Sequence, residues 1–339
     1  MRAWVVESPA PLAARPLQLV EMPRPEPGVG EILVRVHACG VCRTDLHVVE
    51  GDLPQRRRRM IPGHQVVGTV AAHGAVTKTP AIGTRVGVAW LHRVCGACRF
   101  CASGRENLCE AAEFTGWTRD GGFAEFVVVP AEFAHVLPDG FDDLQAAPLL
   151  CAGIIGYRSL CATGLDGDAM LGSRLGLYGF GAAGHVVIQL ARARGAEVFV
   201  MTRDRERHQA LARELGATWV GGARDAPPQA LDASIIFAPA GELVPPALAA
   251  LDRGGTLVLA GIHMSPIPAL HYTALYQERV VRSVANNTRD DARAFLAEAA
   301  RIPVRTHVRE YRFEAADQAL HDLSTDAIRG AAVLRVAQP

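Results

Sequence analysis

Apolar and polar positions along this 339-residue chain fall into two textures. Up to about residue 150 the apolar runs are short and strand-like: Glu31–Ala38, Val66–Val70, Arg85–Val88 and Phe123–Val129. Gly and Pro punctuate them, and a first strand near Met1–Glu7 and a Pro-rich approach (Pro23, Pro25, Pro27) precede them. This region is expected to be mostly β. Beyond residue 150, Leu175–Gly179 reads as a short buried strand, and Gly184–Arg194 carries a helical apolar repeat at Val187, Leu190 and Ala191. Glu197–Met201 reads as the next strand. Helix and strand then alternate over 205–214, 217–220, 234–238, 243–251 and 256–260, which predicts a parallel, doubly wound sheet. A helix over Asp290–Ala300 and a mixed tail close the chain, and no internal repeat is found.

Composition narrows the class. Apolar residues make up 49% and charged residues 21%, an ordinary globular balance. Lys+Arg and Asp+Glu both number 35, so no excess of cations awaits a phosphate backbone, and nucleic acid is not an expected partner. No apolar run approaches the ~18 residues of a membrane span. The opening residues meet charge at Arg2, so no signal peptide is expected and a cytoplasmic location is.

Eight cysteines stand at positions 39, 42, 95, 98, 101, 109, 151 and 161. The spacing Cys95-x2-Cys98-x2-Cys101-x7-Cys109 crowds four thiols into one loop, which reads as metal ligation rather than a disulfide framework. Four soft ligands suit a closed tetrahedral zinc site. Iron–sulfur ligation is the main rival, but the bacterial ferredoxin run, Cys-x2-Cys-x2-Cys-x3-Cys-Pro, does not match the step to Cys109. Gly179-Phe180-Gly181-Ala182-Ala183-Gly184 is G-x-G-x-x-G between an expected strand and an expected helix, the context in which it binds a dinucleotide pyrophosphate.

The segment Gly40-Val41-Cys42-Arg43-Thr44-Asp45-Leu46-His47 packs a thiol, a cation, a hydroxyl, a carboxylate and an imidazole into six residues. It resembles the catalytic-zinc segment of the zinc-dependent alcohol dehydrogenases in the medium-chain dehydrogenase/reductase superfamily. The cysteine lobe and the glycine loop are similar to theirs as well, and the resemblance covers essentially the whole chain. It implies an α/β fold with a GroES-like β-rich catalytic domain at 1–152 and 286–339, a Rossmann coenzyme domain at 153–285, and an active cleft between them. It implies two zinc ions per chain, one catalytic on Cys42, His64 and Cys151, and one structural on Cys95, Cys98, Cys101 and Cys109. The substrate implied is a small alcohol or aldehyde, and the assembly a homodimer or homotetramer joined through an edge strand near Glu278–Ala285.

Further roles follow from the same resemblance. The Thr44 hydroxyl takes the alcohol proton and passes it through the nicotinamide ribose to His47, Asp45 orients a metal ligand, and Arg43 meets the coenzyme pyrophosphate. His47 also reads as a plain exposed helix residue. An NAD site carries a carboxylate at the end of the second strand; here Thr202 or Arg203 takes that place, with the carboxylate displaced to Asp204, so NADP is expected over NAD. Gly261 and Ile262 are expected to flank the nicotinamide, with His263 a loop residue. Trp90 and Trp117 are candidate pocket walls that would favour primary alcohols, with ordinary core packing as the alternative. Cys39 and Cys161 are expected to pack as small apolar residues, and Arg56–Arg59 to form a solvated loop. Two positions depart from the family pattern. Gln65 replaces the usual Glu after the ligand His, which puts an anionic ligand exchange in doubt, and Ile155 replaces a Thr. A C=C or quinone reductase on the same fold, an aldehyde reductase working with NADPH, and a metal-bearing redox sensor stand as alternatives; the full ligand set speaks against the first and the last.

Overall fold

The short apolar runs of the first 150 residues pair into a seven-stranded sheet whose spine is the eleven-residue strand Glu31–Val41. A computed structural model describes residues 1–302 and 304–337. Pro303, Gln338 and Pro339, which the expectation for 286–339 includes, lie outside the described residues. The chain divides into two units: residues 1–151, 287–300 and 306–337 in one, and 152–286 with 301–302 and 304–305 in the other.

In the first unit the strand order is Val308–Arg312, Ala331–Arg335, Glu31–Val41, Gln65–His73, Arg85–Val88, Ala134–Val136, with Phe126–Pro130 also on the spine strand. All pairs are antiparallel except Val308–Arg312 with Ala331–Arg335. The C-terminal strand therefore lies beside the N-terminal spine, which is how two distant pieces of chain share one core. Val34, Val36, Val66, Val70, Val86, Phe123, Phe133 and Leu334 fill it. Burying each such side chain contributes about 1.5–3 kcal/mol, against about 0–1 kcal/mol for a surface ion pair such as Arg335–Glu310. The β-rich core, not the ion pairs, sets the fold here. One polar link is better protected. Arg289, first residue of the helix Arg289–Arg301, donates to both oxygens of Glu106 (2.6 Å to Oε2 and 3.1 Å to Oε1), fastening that helix to the cysteine lobe. Burial opposes the charge on Glu106, but Arg289 holds its carboxyl below the usual range.

The second unit carries six parallel strands in the order Trp219–Gly221, Glu197–Met201, Arg174–Tyr178, Leu231–Ile236, Leu251–Leu259, Val280–Ser283. Numbered along the chain this is 3-2-1-4-5-6, the Rossmann arrangement. Tyr178, Phe199, Met201, Ile236, Leu248 and Leu257 form part of its core. Several element bounds differ from the pattern reading. The strand expected at 256–260 begins at Leu251, because Leu251 pairs with Leu231 across a register shift that apolar periodicity does not reveal. The helix expected to 251 stops at Ala249. The 205–214 helix opens with a π-type turn, Arg205–Gln209, because Asp204 at φ +52 turns its carboxylate onto the N–H groups of Glu206 and Arg207. Cys39 is fully buried as expected, whereas Cys161, the last residue of the helix Ala152–Cys161, is exposed: the apolar stripe of that helix ends at Leu160. Among the described residues no single helix is long and apolar enough to cross a membrane.

His135, buried in the strand Ala134–Val136, generates a pH prediction. Burial, with Arg293 and Arg289 nearby, holds its imidazole down to about 4. An unfolded His takes its proton near ~6.5, so between those values the unfolded chain binds more protons and stability falls as pH falls. His135 is expected to remove up to about 3 kcal/mol of stability between pH 6.5 and 4. Denaturant titrations across that range should show a shallower loss in His135→Gln; an identical slope would count against it.

Candidate functional site

Cys42 follows the spine strand directly and caps the helix Arg43–Glu50, which places its thiol at a helix N-terminus. The thiol accepts the Thr44 N–H at 3.4 Å, and Asp45 Oδ2 accepts the Cys42 N–H at 2.9 Å, a reciprocal cap. Asp45 reaches further. Its Oδ1 accepts the Gly63 N–H (3.1 Å) and His64 Nδ1–H (2.9 Å), so one buried carboxylate holds two segments. Gly63 precedes the imidazole at φ +96, and a Cβ there would lie 2.4 Å from the Phe123 ring, so only glycine delivers His64 to this place. With Nδ1 donating to Asp45, Nε2 of His64 is the free nitrogen, and it lies 3.3 Å from Cys42 Sγ. Cys151 follows the 3-10 segment Ala147–Leu150 and completes the group: the donor atoms of Cys42, His64 and Cys151 lie within 4.8 Å of one another.

The donor set fits zinc. Tetrahedral bonds to nitrogen and sulfur put neighbouring donors ~3.5 Å (N to S) and ~3.8 Å (S to S) apart, close to the 3.3 Å of Cys42 and His64. Charge points the same way. The hydrogen bond with Cys151 holds the Cys42 thiol well below its usual range and raises Cys151. Burial opposes a proton on His64, yet Asp45 and Cys42 overcome it and push the imidazole up to about 10. The anionic surroundings that draw a proton onto His64 would equally draw a metal cation, which binds the neutral ring in the proton's place.

The cysteine lobe closes a second group. Cys95, Cys98, Cys101 and Cys109 bring their sulfurs within 4.8 Å, with Cys98 to Cys101 at 3.6 Å and Cys95 to Cys101 at 3.9 Å, matching tetrahedral edges. Backbone N–H groups of Ala97 and Cys98 hold the Cys95 thiol down to about 6. Four donors from protein leave no place for substrate, whereas three leave one.

Thr44 and His47 lie one turn apart on the Arg43–Glu50 helix, and both are buried. His47 is therefore not an exposed helix residue; its Nδ1 meets Asp52 Oδ2 at 2.8 Å. Arg43, beside the ligand, is half-buried. Trp90 stands edge-on against His64 (centroids 4.9 Å, 75°) and stacks on Trp117 (5.9 Å, 8°). Trp90 is buried with Val48 and Met60, so packing accounts for much of its surface. Arg56–Arg59 form an exposed loop as expected, with Arg56 over the ring of Trp117 and Arg57 paired with Asp120 at 3.1 Å. Gln65 is buried at the start of its strand.

In the second unit the glycine loop joins the strand Arg174–Tyr178 to the twelve-residue helix Ala182–Ala193. Gly179 takes φ +89 where a Cβ would press on Ala238 at 3.0 Å, while a Cβ at Gly181, the helix cap, would meet nothing within 4 Å. That open face over free N–H groups fits a pyrophosphate. The side chain of Phe180 is buried, and Ala182, Ala183 and Gly184 form the first helical turn. Thr202 is buried just past the second strand, Arg203 is exposed, and Asp204 is occupied by its helix cap and by Arg207 Nε at 2.6 Å. Gly261 and the half-exposed Ile262 follow the strand Leu251–Leu259.

The Alcohol dehydrogenase GroES-like domain family matches residues 28–139, and the Zinc-binding dehydrogenase family residues 182–301. The "Probable alcohol dehydrogenase AdhA" of Mycobacterium tuberculosis is 54% identical over 342 residues, 99% of this chain and 97% of its own length. The chain belongs to the zinc-type alcohol dehydrogenases of the medium-chain dehydrogenase/reductase superfamily. A cobalt- and zinc-bound thermostable alcohol dehydrogenase from Pyrobaculum aerophilum superposes with a TM-score of 0.89 at 25% identity, covering 99% of each chain. A zinc-binding dehydrogenase from Sinorhizobium meliloti, solved with NADP, superposes at 0.86 and 27% identity, again over 99% of each. The protein is thus an NAD(P)-dependent oxidoreductase that interconverts small alcohols and carbonyl compounds, with zinc and a nicotinamide dinucleotide as cofactors.

Within the dehydrogenase, Asp52 as the partner of His47 and Trp90 as the wall of His64 are contacts that sequence reasoning missed or left open. For Asp52 a signal existed: a carboxylate just past Gly51, the left-handed end of the helix. Gly63→Ala tests the local geometry. Strain at positive φ and the clash with Phe123 are expected to lower stability by about 1–3 kcal/mol in denaturant titrations. An unchanged midpoint would contradict this account of how His64 is placed.

Proposed function

We propose that this alcohol dehydrogenase holds two zinc ions per chain, and that the three-donor group of Cys42, His64 and Cys151 is the catalytic one. The observation that carries this reading is the convergence of one imidazole and two thiols within 4.8 Å, where zinc needs a fourth ligand from outside the protein. When bound there, zinc acts as a Lewis acid that makes an alcohol proton easier to lose, while the nicotinamide accepts hydride. The chain's own residues do the rest. Asp45 fixes the tautomer of His64 and its angle. Thr44 offers a buried hydroxyl for the departing proton, and His47, steadied by Asp52, carries it outward. Gln65, being neutral, cannot take over as an anionic ligand, so the ligand set stays fixed. Cys95, Cys98, Cys101 and Cys109 hold the second zinc, which folds their loop.

The coenzyme pyrophosphate lies on the Gly179–Gly184 turn. We assign Arg203, exposed just past the second strand, to a ribose 2′-phosphate; the commitment of Asp204 to its own helix, which leaves no carboxylate there to favour NAD, supports that reading. NADP is the favoured coenzyme. Trp90 and Trp117 narrow the approach to His64 and favour primary alcohols. The edge strand Val280–Ser283, with exposed Tyr272 and Tyr276 nearby, supports a homo-oligomer joined there. Thiols that must stay reduced to bind metal suit the cytoplasm.

Metal analysis is expected to find two zinc ions per chain. Cys98→Ser should keep one of them together with alcohol oxidation, while losing thermal stability. One zinc in the unaltered protein, or loss of oxidation with the lobe zinc alone, would contradict the assignment. Arg203→Ala should raise KM for NADP about 10-fold or more, as the loss of a charged hydrogen bond does, and leave NAD kinetics nearly unchanged. Equal effects on both coenzymes would remove Arg203 from the phosphate site.

A further inference from the structure

Three polar residues away from the metal group form one connected set. His37 Nδ1 meets Asp143 Oδ2 at 2.8 Å, and His37 Nε2 meets Thr69 Oγ1 at 3.2 Å. A carboxylate only accepts, so Nδ1 carries the proton; in the neutral ring Nε2 then accepts from the Thr69 hydroxyl. Arg85 Nε donates to the other oxygen of Asp143 at 2.7 Å. Side-chain hydrogen bonding from His37, then from Arg85, holds the Asp143 carboxyl below its usual range despite partial burial.

Each of the three lies on the element that delivers one metal ligand. His37 is on the strand that runs into Cys42, Thr69 is on the strand that starts just after His64, and Asp143 opens the helical stretch that ends at Cys151. His37 also has no place in the regular ladder. Val36 pairs with Gly68 and Ala38 with Val67, so His37 is the extra residue of a bulge. From there the two strands are paired without a break toward the ligands: Ala38 with Val67, Cys39 with Val66, Gly40 with Gln65.

We propose that Thr69, His37 and Asp143 form a clamp that fixes the register of the three ligand-bearing segments, making them positioning residues for the Cys42, His64 and Cys151 metal group. The proposal rests on the reading of that group as a zinc site. Losing the bulge would slip every pair beyond it by one residue and shift Cys42 past His64 by ~3.3 Å, where metal bonds tolerate about 0.2 Å. The clamp pins the bulge by its own side chain and ties it to the third segment through Asp143.

Zinc release from the full-length, zinc-loaded protein into a chromophoric chelator tests this. The variants are Thr69→Val, which keeps shape but loses the hydroxyl, Asp143→Asn, and Thr69→Ser as the conservative control. In Thr69→Val and Asp143→Asn, one of two zinc equivalents is expected to leave about 10-fold faster, in the range seen when a partner beyond the ligands is lost. The other should leave at the unaltered rate, with Thr69→Ser restoring both. Unchanged release of both equivalents would overturn the clamp, as would equal acceleration of both, which is plain loss of stability. If the unaltered protein holds zinc only in the cysteine lobe, the metal reading itself fails, and the clamp with it.

Discussion

One buried carboxylate joins the parts of this dehydrogenase that must meet. Asp45 accepts hydrogen bonds from the Cys42 backbone, the Gly63 backbone and the His64 ring together. The first belongs to the end of the spine strand and the others to the loop before the next strand. Burial pushes the Asp45 carboxyl above its usual range, with His64 and the hydrogen bonds to it opposing the rise. The three donors around it favour its charged form, and that charge in turn raises the proton affinity of His64. A metal cation bound to the neutral His64 ring would offset the negative field of Asp45 and Cys42. The folding of this corner and its capacity to hold a metal are one electrostatic problem.

The fold answers that problem with a stiff frame. The ligands hang from the ends of a sheet whose core is packed with branched aliphatic and aromatic side chains, and the C-terminal strand Ala331–Arg335 is laid against the spine strand so that both faces are buried. Cys151 comes from a separate stretch tied to the same sheet by Asp143. Metal geometry is strict to a fraction of an ångström, so such a site belongs on paired strands and capped helices rather than on long loops.

What the sequence made legible was local. The cysteine lobe, the Gly40–His47 segment and the Gly179–Gly184 turn each put their chemistry within a few residues, and the spacing alone declares them. Strands such as Arg85–Val88 and Glu197–Met201 fall where the apolar pattern places them. Features that depend on register stayed hidden. The bulge at His37 leaves no trace in a period-two pattern, and the early start of the strand Leu251–Leu259 follows from a partner across the sheet. Cys161 shows the other failure: composition says a lone thiol is buried, yet it sits one residue past the buried Leu160, on the exposed side of the helix end. The placing of Arg56 over Trp117 and the edge-on contact of Trp90 with His64 are likewise tertiary, and nothing in the spacing of those residues announces them.

The claim on which everything else rests is that a metal sits where Cys42, His64 and Cys151 converge. Anomalous diffraction at the zinc edge from crystals of the protein as purified addresses it most directly. Two peaks per chain are predicted, one within the cysteine lobe and one bounded by Sγ of Cys42, Nε2 of His64 and Sγ of Cys151, with its fourth side not supplied by the protein. A single peak in the lobe, with none between those three side chains, would contradict the account.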